Sequence, residues 1–116
     1  MNVLRARGGD IGGWWQIQLL DLRVVADGAT EAEMLRQLAH ELTCHYRLDL
    51  QSGKTPFVSL LNRCDSDVAR TWEADHKKLN RLGLSEEVWS ALSIALRMPR
   101  RADFAVDANA ERAGAA

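Results

Sequence analysis

The sequence predicts an α+β fold in which a small three-stranded antiparallel sheet packs on one long helix, followed by a three-helix C-terminal cap or subdomain. Apolar and polar residues alternate over residues 14–20, as they do in a half-buried strand. Over residues 30–50, apolar residues recur at three- and four-residue steps, as on one face of a helix. After residue 53, capping residues and helical apolar steps alternate. We therefore divide the chain into a β-β-β-α unit over 1–52, a helical unit over 53–100 and a flexible tail over 101–116.

The long helix is the most strongly patterned element. Thr30 and Glu33 fit a capping box, in which each side chain satisfies a backbone N–H at the helix start. At about 100° per residue, His40 and Cys44 fall on the side away from the apolar stripe. That stripe consists of Leu35, Leu38, Ala39, Leu42 and Tyr46. An apolar stripe of this length predicts a helix laid on one face of the sheet.

Three strands are expected before this helix. Met1–Arg7 fits a short edge strand, and the glycines around Asp10 indicate a hairpin-like turn. The run Trp14–Leu20 is the best strand, with Trp15, Ile17 and Leu19 facing inward and Trp14 on the other face with the two glutamines. A third strand is expected over Leu22–Ala26, before the turn at Asp27-Gly28.

Three helices are expected after the long one. Gly53 is a left-handed stop, and Thr55-Pro56 has threonine at the cap and proline at the first helical position. The next helix runs from Asp65 or Ser66 to about Gly83. The last one begins at Ser85 and ends before Pro99. It leaves so little polar surface that it is expected to pack deeply or to form a dimer interface.

Composition limits the class of protein. An apolar content of 47% in 116 residues is enough for a core. No apolar run reaches the roughly 18 to 20 residues of a membrane span, and the first residues lack a signal-peptide core. Cys44 and Cys64 do not form a disulfide framework and are interpreted as reduced thiols. These features favour a cytoplasmic protein without a membrane segment.

Charge is distributed unevenly along the chain. Residues 1–53 carry five basic and seven acidic side chains, whereas residues 54–101 carry nine basic and six acidic ones. An acidic front suits a basic partner, and a basic middle suits phosphate. Scatter around zero is the alternative interpretation.

No catalytic or cofactor-binding pattern stands out, so we expect neither an enzyme nor a cofactor. In HELTCH the two histidines, His40 and His45, lie five residues apart instead of the four that a zinc-protease helix requires. His40 and Cys44 have the spacing of a metal-binding pair, with Cys64 and His76 as the remaining candidates, but solvated or core side chains are the commoner outcome. No metal site is predicted. The glycines before Trp14 precede a strand, so they cannot cradle a dinucleotide.

Residues 65–82 allow a second interpretation, a helix-turn-helix. Its second helix would cover Asp75–Leu82 and carry side chains suited to phosphates and base edges, namely Lys77, Lys78, Asn80 and Arg81. No glycine or proline marks a turn in this stretch, so one continuous helix with a solvated basic face is the simpler interpretation.

The first half of the chain resembles HicB-type antitoxins over about residues 3–48. The matching segments are Gly12-Gly13-Trp14-Trp15-Gln16-Ile17, Leu19–Leu22, Asp27-Gly28-Ala29-Thr30-Glu31-Ala32-Glu33 and Leu35–Leu42. The resemblance implies a ribonuclease-H-like fold without catalysis and binding to a small RNA-cleaving toxin. It also implies, in many members, a C-terminal DNA-binding unit for autoregulation.

The expected function is therefore non-enzymatic binding of a macromolecule, with a small basic toxin or another protein as partner. The expected partner surface is the exposed sheet face and its edge, which comprises Asp10, Trp14, Gln16, Gln18, Asp21 and Asp27. A small DNA-binding regulator is the alternative. The third hypothesis is a structural protein whose apolar last helix drives self-association. The antitoxin-like protein of the first hypothesis is also expected to be a homodimer.

Overall fold

The computed structural model describes residues 3–97 and 105–109, and these form one sheet with helices against it. The elements in chain order are β1 (Val3–Ile11), β2 (Trp14–Leu19), β3 (Val25–Gly28), α1 (Glu31–Gln51), a 3-10 turn (Val58–Leu60), α2 (Ser66–Ala74), β4 (Lys77–Arg81), α3 (Glu86–Leu96) and β5 (Ala105–Asn109). The predicted α+β class, with an antiparallel β1-β2-β3 sheet on a long helix and further helices, is confirmed.

The sheet extends beyond the three predicted strands. Its order is β3-β2-β1-β5-β4, with β1 antiparallel to β2 and parallel to β5. The strand predicted for Met1–Arg7 at an edge is thus central and reaches Ile11. Glycine usually interrupts strands, yet Gly8 is required here, because an added Cβ would lie 2.3 Å from the carbonyl oxygen of Gln16. The tight turn falls on Gly12 and Gly13, both at positive φ.

Helix α1 begins and ends as its sequence predicts. The Thr30 side chain accepts a hydrogen bond from the Glu33 N–H, and the Glu33 carboxylate accepts one from the Ala29 N–H. At the other end, Gly53 has φ +70°, and the N–H groups of Gly53 and Lys54 bond back to the carbonyls of Leu50 and Asp49. That pair of bonds is a Schellman motif. The end of the helix is therefore fixed by backbone geometry.

The main core lies between α1, α3 and one face of the sheet. The predicted α1 stripe faces it, with Leu38 and Leu42 fully buried. Leu48, near the C-terminal end of α1, is 57% exposed. The buried core residues are Leu4, Ala6, Ile17, Leu19, Leu22, Val24, Ala26, Met34, Leu35, Leu38, Leu42, Phe57, Leu79, Leu82, Val88, Trp89 and Leu92. Both halves of the chain contribute residues to this core, so residues 3–97 share one core and do not form two independent ones.

Four local predictions are corrected. The third strand lies at Val25–Gly28 rather than Leu22–Ala26, because Leu22 instead forms an isolated bridge with Leu61. The helix expected from Thr55-Pro56 is reduced to a 3-10 turn, since Phe57 takes a left-handed conformation and buries its ring.

The other two corrections concern the second half. The helix expected to reach about Gly83 stops at Ala74, and residues 77–81 form β4. The tail predicted for 101–116 contains β5, which pairs with both β1 and β4. Pairing between segments this far apart in sequence overrides local helix preference. The remainder of the predicted tail falls outside the described residues.

Candidate partner-binding face

The sheet face opposite α1 is partly open, and the register defines its surface. Gln16 lies across from Asp27 on β3, and Gln18 lies between Val25 on β3 and Arg7 on β1. Residues paired across an antiparallel ladder project from the same face. We call this group the open face: Arg7, Trp14, Gln16, Gln18, Val25 and Asp27.

The open face is exposed and contains two large apolar side chains. Val25 is 65% exposed and Trp14 is 45% exposed, whereas Ile17 and Leu19 on the other side of β2 are almost fully buried. A shallow groove of about 580 Å³ runs across this face from Arg7 and over the β3 edge to Gln37 of α1. This confirms the predicted alternation along β2 and the outward position of Trp14.

One end of this face is closed by the chain itself. Arg5 alternates with the core residues Leu4 and Ala6, so it projects to the open-face side. Its guanidinium lies 5.8 Å from the ring centroid of Trp72 on α2. Trp72 and Leu20 are buried but lie outside the main core. Among the described side chains, the opening lies at the end of the sheet near the β1–β2 hairpin and β3.

The structure brings four of the six predicted partner residues together and separates two. Trp14, Gln16, Gln18 and Asp27 belong to the open face. Asp10 lies at the hairpin, where its carboxylate accepts a 2.8 Å hydrogen bond from the Gly13 N–H. Asp21 lies at the far end of β2 and accepts two hydrogen bonds from Arg5, at 2.7 and 3.1 Å. Both carboxylates are engaged within the chain.

Sequence reasoning missed Arg7, Val25 and Gln37. The prediction places Arg7 at the end of a short edge strand and Val25 inside a strand over Leu22–Ala26, whereas Val25 is the first residue of β3. Val24, Val25 and Ala26 form a continuous apolar run, so the sequence over 23–27 does not indicate which of them face outward. Only the partner strand fixes which residues face outward, because a one-residue shift in register reverses every side chain.

The helix-turn-helix expectation is overturned. Lys77, Lys78, Asn80 and Arg81, the predicted DNA contacts, all lie in β4, which pairs with β5. A recognition helix over Asp75–Leu82 is therefore excluded, and with it the groove contacts that such a helix would place.

His40 and Cys44, whose spacing would suit a metal-binding pair, are close in space. The His40 Nε2 atom lies 3.5 Å from the Cys44 sulfur on the exposed side of α1. Within residues 3–97 and 105–109, no three His, Cys, Asp or Glu side chains are grouped closely enough to hold a metal ion. The pair alone supplies two of the four ligands that zinc usually takes in proteins.

No protein-family model matches the chain, and no match was found among curated proteins or solved structures. Across the described ranges, none of the helices combines the length and the apolar character needed to span a membrane.

Proposed function

We propose that this protein is a non-enzymatic, antitoxin-like protein that acts in the cytoplasm and binds a small basic toxin or another protein partner through the open face. The observation that carries the proposal is the exposure of Val25 and Trp14 on a sheet face that the described helices leave uncovered. Exposed apolar groups framed by polar ones are typical of surfaces that bind other proteins.

The composition of the face supports a protein partner. Trp14 supplies a large, rigid contact area, while the amides of Gln16 and Gln18 can each donate and accept hydrogen bonds. The face has two charged groups, Arg7 and Asp27. The resemblance to HicB-type antitoxins over residues 3–48 points to the same class of partner.

The open face offers a basic partner fewer carboxylates than the sequence suggested. Asp10 and Asp21 are bonded to the chain itself, so Asp27 is the carboxylate of the predicted set that remains directed at the face. A basic side chain of the partner would pair with Asp27, next to the apolar surface of Val25. One close pair of this kind fixes register more than it adds affinity.

The test is a capture experiment with matched variants. Tagged protein expressed in its native host should retain a small basic protein, identified by mass spectrometry, and the double variant Gln16→Arg/Gln18→Arg should lose it. The control variant Leu48→Arg/Ile94→Arg adds the same charge at two exposed positions on α1 and α3. Retention of the same partner by the β2 variant, or its equal loss in the control, would refute the assignment to this face.

A further inference from the structure

The open face is bordered by the outer edge of β3, where backbone groups are available for hydrogen bonding. β3 is the terminal strand of the sheet, and no strand from residues 3–97 or 105–109 lies on its outer side. The Leu19 N–H donates a hydrogen bond to the Val24 carbonyl, so Leu19 and Val24 are a hydrogen-bonded pair of the β2–β3 ladder. Because hydrogen-bonded pairs alternate, Ala26 and Gly28 direct their backbone groups to β2, and Val25 and Asp27 direct theirs to the free edge.

Within the described residues, nothing bonds to the outward N–H and C=O of Val25 and Asp27. Two donors and two acceptors thus lie in a row at the spacing of a strand. The groove of the open face passes over the same edge, since Val25, Asp27 and Gln37 all line it. An unprotected edge of this kind is a template for strand addition.

We propose that β3 binds one extended segment of its protein partner by main-chain hydrogen bonding, which adds a sixth strand to the sheet. The proposal rests on the function proposed above and specifies how the partner is held. The residue opposite Val25 would be apolar and the residue opposite Asp27 would be basic, two positions apart on the same face. The residue between them would point toward Gln37 of α1.

A second copy of this chain fits the edge poorly. Helix α1 packs chiefly on β3, and it would come beside its own copy if two β3 strands paired. Neighbouring strands lie about 4.8 Å apart, whereas packed helices need about 8 to 10 Å between their axes. A partner segment without a covering helix avoids this clash, so the occupant we propose is a single strand and not a second β3.

The edge can be tested by hydrogen exchange with a defined probe. The probe is a blocked peptide of about six residues, a length typical of a strand, in which one valine and one lysine lie two positions apart and the other residues are threonine. Exchange of the Val25 and Asp27 amides should be fast in the free protein and slow with the peptide, while the Ala26 and Gly28 amides are protected in both. The same peptide with N-methyl groups on all of its amides should give no protection.

A variant pair isolates the backbone. Val25→Pro removes one outward N–H and no ladder bond to β2, and it should weaken peptide binding roughly 3- to 10-fold, the worth of one hydrogen bond. Val25→Ala retains the N–H and separates this effect from loss of the side chain. Circular dichroism and urea unfolding establish that both variants fold.

The outcomes distinguish this inference from the proposed function. If partner capture is lost with Gln16→Arg/Gln18→Arg but is as strong with Val25→Pro as with Val25→Ala, the open face binds a partner and strand addition is wrong. If the N-methylated peptide protects Val25 and Asp27 as well as the unmodified one does, main-chain pairing is likewise wrong. Capture that is weaker with Val25→Pro than with Val25→Ala supports the added strand.

Discussion

The Arg5 guanidinium donates two hydrogen bonds to the Asp21 carboxylate, from Nη2 at 2.7 Å and from Nε at 3.1 Å. This bidentate pair joins β1 to the segment that follows β2, and the Trp72 ring covers the guanidinium from α2. The hydrogen bond to Asp21 raises the pKa of Arg5 above its ordinary value. The pair thus has a structural role, which accounts for the absence of Asp21 from the open face.

Replacing Asp21 with alanine should destabilise the fold. The variant leaves a partly buried arginine without its carboxylate, and the expected loss is about 1 to 2 kcal/mol, reduced by solvent because both side chains are about a third exposed. Because the folded-state pKa of Arg5 is raised, its stabilisation is complete below the ordinary arginine value and is lost only at higher pH. Urea unfolding should therefore give the same difference between about pH 6 and pH 9.

A second arginine provides the control for this prediction. Arg70 pairs with Asp67 on α2, but those side chains are 75% and 79% exposed. Arg70→Ala should cost less than about 0.5 kcal/mol. Equal costs for Asp21→Ala and Arg70→Ala would contradict a structural role for the Arg5 pair.

Gly8→Ala should destabilise the sheet far more than Gly12→Ala. At Gly8 the added Cβ would lie 2.3 Å from the Gln16 carbonyl oxygen and 3.1 Å from the Ile17 Cα, and φ is +127°. Both neighbours are backbone of β2, so relief requires the strands to separate, and we expect a loss of about 3 kcal/mol or more. Gly12 has φ +59° and no neighbour within 4 Å, so its cost should be about 1 kcal/mol. Thermal unfolding of both variants checks this order.

Much of the first half could be predicted because its signals are local. The cap at Thr30, the stop at Gly53 and the alternation along β2 each depend on a few neighbouring residues, and each is confirmed. The face was predictable through Trp14, Gln16 and Gln18 for the same reason. Arg7 and Val25 were not, because their outward positions depend on strand register, which no single segment specifies.

The second half was harder to predict because its strands depend on each other. Residues 75–82 contain no breaker, and residues 105–109 contain a single β-branched residue, Val106. Each segment becomes a strand through pairing with the other, and β5 also pairs with β1 from the opposite end of the chain. Local propensity is a weak prior against contacts of this kind.

The early end of α2 has a side-chain cause that a variant can test. The His76 Nδ1 atom lies 2.9 Å from the Trp72 carbonyl oxygen, and its ring stacks on the indole with centroids 4.0 Å apart. We expect His76→Ala to cost about 1 kcal/mol and to speed amide exchange of Asp75, whose N–H bonds to the Thr71 carbonyl. His45→Ala, in the middle of α1 with its nearest carboxylate 4.0 Å away, is the control. Unchanged exchange at Asp75 would remove the capping role.

Ser93→Ala should stabilise the protein or leave its stability unchanged. The Ser93 hydroxyl oxygen is buried and has no hydrogen-bond partner among the described residues. A buried polar group without a partner costs about 1 to 3 kcal/mol relative to its hydrated state, and alanine removes that cost with little loss of volume. Ser90→Ala on the same helix is the control. It changes helix propensity by the same amount, but Ser90 already makes an interaction. A loss of stability for Ser93→Ala above that of Ser90→Ala would contradict this prediction.

In α3, one residue tests stability and another tests self-association. Trp89 lies in the apolar helix that was expected to pack deeply or to form a dimer interface; it is 4% exposed and belongs to the core of its own chain, whereas Ile94 is 64% exposed. Trp89→Ala should cost about 3 to 5 kcal/mol in urea unfolding, as expected for a buried tryptophan. Ile94→Asp should leave stability nearly unchanged, since its side chain already meets solvent.

If α3 mediates a dimer, Ile94 is therefore the residue that must contact the second copy. Sedimentation of Ile94→Asp should then show monomer at concentrations where the parent chain is dimeric. A dimer that persists in Ile94→Asp would exclude this surface of α3, because a carboxylate buried in an apolar interface without a cation is strongly unfavourable.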